Sequence, residues 1–217
     1  MTAPTPVPVP TPTPTPAPAA VSDRSRARGR PRDPEVDRAI LQAVVDMVSE
    51  RGYDALTVDA VATRAGVSRA SVYRRYAGRL ELLDAACRAF TPPPPDPPDT
   101  GSVRGDLIAL GASLVQTLGR TDTGKLVPTM LGAAAAHPEV REALGRFTSS
   151  RRSPSLEVIR RGIGRGELAP GTDPDMVADL LVGAIVYRVL VRGDRVTARR
   201  VEQIVDTLLT GAAEPST

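Results

Sequence analysis

Proline placement constrains this chain more than any other feature. Eight prolines stand at alternate positions from Pro4 to Pro18, and six more crowd the stretch from Pro92 to Pro98. Proline fixes φ and has no N–H to donate, so neither stretch can be a helix interior or a central strand. The first reads as an extended, solvated polyproline arm and the second as a stiff connector. The two stretches hold 14 of the 22 prolines, which leaves the rest of the 217 residues free to be helical.

The intervening segments do recur at helical period. Asp33 and Pro34 suit the cap and first position of a helix, with Glu35 and Asp37 adding negative charge to its first turn. Val36, Ile40, Leu41, Val44, Val45 and Val48 then share one face until Gly52. Beyond the connector, apolar stripes start at Val103, Leu126, Val140, Val177 and Val201, and no alternating strand-like segment competes. Ser153-Pro154 is expected to kink or restart the helix that Pro138 opens. The expectation is an all-α protein. Residues 1–32 are expected to form a disordered Pro-rich and basic arm, 33–90 a first helical unit, 91–101 the connector and 102–212 a second helical unit.

Single residues exclude whole classes of chemistry. Cys87 is the one cysteine and His137 the one histidine, so a disulfide, a His-based zinc site and a Ser-His-Asp triad all lack their parts. Cys87 is expected in buried packing, and His137 is expected to cap the helix beginning at Pro138. Gly162-Ile163-Gly164-Arg165-Gly166 follows no strand and reads as a helix end rather than a nucleotide loop. No metal, cofactor or catalytic residue is expected. No apolar run reaches membrane-spanning length, and the first twenty residues do not read as a secretory signal, so a cytoplasmic, nucleoid-associated protein is expected. Six aromatic residues are too few for a single-strand stacking platform.

The informative segment runs from Leu56 to Arg79. Thr57 is a good N-cap flanked by Leu56 and Val61 at staple positions, and Val67, Ser68 and Val72 repeat the arrangement after Gly66. Two short helices joined by Ala65-Gly66-Val67-Ser68 make a helix-turn-helix. The second, expected from Arg69 to about Arg75, carries Arg69, Ser71, Tyr73 and Arg74 on its outer face. Five arginines and no carboxylate lie between Arg64 and Leu80. Donors without acids suit a polyanion, and Arg69 is placed to read a guanine. Upstream, Arg28 and Arg30 belong to an arm with arginine at every second position, which fits a narrow minor groove. A solvated arm with incidental charge is the alternative.

These residues, together with Ser71-Val72-Tyr73-Arg74-Arg75-Tyr76 and Leu80-Glu81-Leu82-Leu83, resemble the N-terminal domain of the TetR family of bacterial transcriptional regulators. The resemblance implies a three-helix DNA-binding domain whose third helix enters the major groove. It also implies that Thr57, Ser68, Tyr73 and Tyr76 grip phosphates. Arg79 stands where the family commonly has Lys, and Ala70 replaces a frequent Gly, near the groove. The second unit is similar to the family's variable ligand-binding and dimerisation domain.

On that reading the last two helices pair with a second copy, giving a homodimer on a near-palindromic double-stranded DNA operator. An unknown apolar or amphipathic small-molecule effector would bind among Met130, Leu131, Phe147, Ile159 and Ile185 and release a repressor from DNA. Ordinary core packing is the alternative for each of those five. An architectural DNA-binding protein with little sequence selectivity is the second functional reading. An enzyme ranks last for want of a nucleophile–base pair.

Overall fold

A computed structural model describes residues 33–119 and 121–212 of the chain. These residues form ten α-helices and, among them, no strand. The basic arm, with Arg28 and Arg30, lies outside the described residues.

Local chemistry starts and stops the helices where expected. The Asp33 carboxylate accepts from the Glu35 N–H to open α1 (Pro34–Arg51), and Gly52 closes it at φ 78°. Helix α2 (Val58–Ala65) is capped by the Thr57 hydroxyl, which accepts from the Ala60 N–H. Gly66 follows in the left-handed region, at φ 67° and ψ 30°, where a Cβ would be strained. Helix α3 spans only Arg69–Tyr73, shorter than the expected run to Arg75, and Val72 is its one buried residue. A single anchor gives a longer helix nothing more to pack. Helix α4 (Arg79–Phe90) then returns through the core with Leu82, Leu83, Ala86 and Cys87 buried.

The second half comprises α5 (Val103–Leu118), α6 (Thr121–Ala136), α7 (Pro138–Ser150), α8 (Ser153–Gly164), α9 (Pro174–Val186) and α10 (Ala198–Ala212). The chain restarts at Ser153 with Pro154 in the first turn of α8, as proline geometry requires. Gly166, at φ 74°, follows the end of α8, so the glycine-rich stretch is a helix end. Helix α9 runs into a π-helical turn over Tyr187–Val191, where the backbone bonds widen by one residue.

The apolar side chains gather into two cores, and these do not divide at the connector. Core one holds α1, α2, Val72 and α4 together with Leu126, Met130 and Ala134 of α6 and Val140 of α7. Core two joins α5, α8, α9 and α10 through Val103, Leu107, Val158, Ile159, Leu181, Ile185, Val201 and Val205. Helices α6 and α7 therefore lie against α1 and α4. Arg141 ties their corner by donating to the Ala134 carbonyl. Cys87 is buried with its sulfur 2.9 Å from Met130 Sδ, and burial pushes its thiol pKa up to about 12. At neutral pH it is packing, as expected. Close packing uses glycine at two places: a Cβ on Gly111 would come 2.7 Å from Val201, and one on Gly162 equally near Val103.

The connector is fastened at its far end. Asp106, fully buried, accepts from the Thr100 N–H at 2.6 Å and from Arg161 Nη2 at 2.8 Å. Arg161 also donates to the Pro98 carbonyl, and Arg165 pairs with Asp99 at 2.7 Å. A proline-rich strap with few N–H groups of its own is thus held by arginines of α8 and the segment after it.

Candidate nucleic-acid interface

The α2–turn–α3 segment presents Thr57, Ser68, Arg69, Ala70, Tyr73 and Arg74 on the surface, with Ser71, Tyr76 and Arg79 half-buried. The surface is built by the caps. The Ser68 hydroxyl accepts from the Ser71 N–H, and Arg74 Nη2 donates to Ser71 Oγ at 2.8 Å, so polar groups on α3 hold one another in place. Tyr73 is 58 % exposed, so its ring packs little against the protein. Tyr76 packs against core one.

Sequence reasoning counted no carboxylate between Arg64 and Leu80, but the fold brings acids in from elsewhere. Arg64 donates to both oxygens of Glu50, at 2.7 and 2.5 Å, and lies 3.9 Å from Asp46. These hydrogen bonds hold the Glu50 carboxyl below its ordinary pKa. Arg69 pairs with Asp59 of α2, and Arg75 Nε donates to Asp37 of α1. Arg79 lies 3.6 Å from Glu139 and 4.5 Å from the centroid of the Tyr53 ring. The expectation of a segment clear of acids is therefore corrected for four of the five arginines. The pairs differ in kind. Arg69 is 65 % exposed beside an exposed Asp59, a pair that solvent screens and an incoming phosphate can displace. Arg75, at 11 % exposure, is a strut between α3 and α1.

Arg79 belongs to a second arrangement that sequence reasoning missed. His137 occupies the N-cap position of α7, yet its side chain makes no capping bond. Its Nε2 lies 2.8 Å from Asp54 Oδ1, and its ring meets Tyr53 edge-on at 5.0 Å. The expected cap is thus replaced by a bridge. Tyr53, Asp54 and Arg79 lie next to the helix-turn-helix, while His137 and Glu139 start α7. Burial raises the Tyr53 phenol pKa, opposed by the Arg79 charge. No local pattern joins residues 53, 79 and 137, so no sequence signal was available.

A cavity of about 350 Å³ lies between α5, α6, α7, α8, α9 and the connector. Of the five residues expected at a pocket, Phe147 lines it. Met130 belongs to core one, Ile159 and Ile185 to core two, and Leu131 is exposed. Periodicity marked them as apolar, but which void an apolar face borders depends on how the helices pack. Among the described residues no cluster of His, Cys, Asp or Glu is able to hold a metal, and no helix is long and apolar enough to cross a membrane.

Residues 40–86 match the family model for bacterial regulatory proteins of the tetR family, and residues 97–208 match the tetracyclin repressor-like C-terminal domain. The chain belongs to the TetR family. It is a helix-turn-helix transcriptional regulator, and its DNA-binding unit is the three-helix assembly around α3. This TetR-family chain is 34 % identical over 188 residues to the uncharacterized HTH-type transcriptional regulator YdeS of Bacillus subtilis, covering 86 % of this chain and 94 % of that one. It is 29 % identical over 179 residues to the DNA-binding transcriptional repressor TetR of Mycobacteroides abscessus, covering 79 % and 92 %. The crystal structure of the TetR-family regulator SCO0332 superposes with a TM-score of 0.59 at 28 % identity, covering 82 % of this chain and 98 % of that one.

Proposed function

We propose that this regulator is a homodimeric repressor that leaves a near-palindromic operator when a small apolar or amphipathic molecule fills the cavity beside the connector. The observation that carries the reading is the place of Thr91. It directly follows α4, and it is buried in the cavity wall. The neighbouring Phe90 carbonyl accepts from Thr123 of α6. Whatever occupies the cavity therefore bears on the end of α4, which shares core one with Val72 of α3. A ligand shifts the DNA-binding equilibrium only if it favours one arrangement of these helices over the other.

Dimerisation is assigned to α9 and α10. Met176 and Leu180 are each more than half exposed on α9, and with Ala184, Ile204 and Leu208 they line a groove of about 630 Å³ between the two helices. Apolar area of this extent supports a four-helix bundle with a second copy. A two-fold dimer then sets two α3 helices about 34–36 Å apart, or a multiple of that, on one DNA face. In this reading Ser68, Tyr73, Arg74 and Tyr76 hold phosphates with Thr57 and Arg79. Arg69, Ala70 and Ser71 meet base edges, while Arg28 and Arg30 enter the minor groove. The protein works in the cytoplasm on the nucleoid.

Fluorescence anisotropy with the DNA upstream of its own reading frame, against random duplex at fixed salt, tests the proposal. Binding should be at least about 10³-fold tighter to the operator. Equal affinity for both duplexes would leave an architectural DNA-binding protein instead.

A further inference from the structure

The cavity wall carries an uncompensated charge. Leu110, Leu114, Val127 and Phe147 make much of it apolar, yet two successive arginines at the α7–α8 junction also face it. They are not equivalent. Arg152 Nη1 donates to Asp179 at 2.5 Å and Nη2 to Asp175 at 2.9 Å, so its charge is matched and Asp179, also on the wall, is neutralised. Arg151 has no carboxylate partner among the described residues. Its guanidinium stacks over the Phe147 ring, 5.3 Å from the centroid. Burial lowers its pKa, and no acid opposes the effect. A half-buried cation beside apolar walls is costly unless an anion joins it.

A second group on the same wall also lacks a partner. Thr91 is 5 % exposed, and its hydroxyl makes no hydrogen bond among the described residues. Buried polar groups are normally satisfied, so an orphan hydroxyl lining a cavity marks room for a polar atom that the chain does not supply.

We infer that the cavity takes an amphipathic anion, its carboxylate on Arg151 and its apolar body along Leu110, Leu114, Val127 and Phe147. This rests on the proposal that the cavity is the effector site. With Asp179 already matched by Arg152, nothing on the wall favours a cationic head. The volume is at the small end of ligand sites, which suits a medium-length chain or one or two rings. A charge-assisted bond to a guanidinium in this setting is stronger than one between neutral groups.

Isothermal titration of the full chain with decanoate and with decanol separates charge from apolar fit. Decanoate should bind at least about tenfold more tightly than decanol. Arg151→Met should remove that preference while keeping decanol binding within about threefold, and Arg151→Lys should retain part of it. Retained decanol binding also shows that the Met variant keeps a folded cavity. If decanol equals decanoate in the unaltered protein, or if Arg151→Met keeps the preference, the anion site is wrong while the cavity reading stands. Should neither probe bind, both fall.

Discussion

Arg75 of the segment after α3 donates through Nε to Asp37 in the first turn of α1, and Arg74 beside it does not share that role. Arg74 is exposed, and among the described residues its side chain bonds Ser71 of α3. Two arginines adjacent in sequence therefore divide the work. Arg75→Ala should cost about 1.5–3 kcal/mol of stability, lowering Tm by roughly 3–10 °C. Arg74→Ala should leave Tm nearly unchanged but weaken binding to every duplex and reduce the salt slope by about 1. Thermal melts and salt-dependent anisotropy on both variants check the division; equal Tm losses would contradict it.

Arg69 competes between Asp59 and DNA. Because both side chains are more than half exposed, Asp59→Asn should cost under about 1 kcal/mol of stability. It should tighten operator binding, since it frees the guanidinium and removes a negative charge beside the phosphates. Arg69→Ala should relax base preference at one position, worth about 1–3 kcal/mol of discrimination. Affinity that falls in Asp59→Asn would mean that the acid positions Arg69 for reading.

The Asp106 clasp predicts an acid limb. Burial pushes its carboxyl up, but bonds from the Thr100 N–H, Arg161 and the Thr100 hydroxyl outweigh this and hold its pKa below the ordinary carboxylate value. A pKa lowered by folding contributes stability above the unfolded value, near 4, and loses it as pH falls towards the folded value. Denaturant unfolding should therefore show stability falling below about pH 4, with a shallower fall in Asp106→Asn. Asp106→Ala should be worse at neutral pH, by about 3 kcal/mol or more, because Arg161 is left without its buried partner. Matching acid limbs in Asn variant and parent would refute the assignment.

Leu180→Asp tests the dimer face. Leu180 is 55 % exposed in the single chain, so a carboxylate there should leave monomer folding intact. Buried against a second copy it would be an unpaired charge, which dimers do not tolerate. Sedimentation should show a monomer with weakened operator binding. A dimer that persists would place the interface elsewhere.

Features decided within a few residues were legible before the fold was known. Asp33, Thr57 and Ser68 cap the helices they precede, Gly66 makes the left-handed turn, and Pro154 opens a new helix. Capping, backbone sterics and apolar periodicity are short-range, so neighbouring residues dictate them. Which arginines stand free was not legible. Glu50 and Arg64 are 14 positions apart, Asp37 and Arg75 are 38 apart, and each pair meets only because helices cross there. The same holds for His137, drawn from its cap to Asp54, and for the cavity, where Phe147 faces the void while Met130 packs against Cys87. By itself the sequence determined where helices begin, end and turn apolar. Tertiary structure alone decided what each face meets, because Coulomb and packing forces act through space, between residues that the chain order does not bring together.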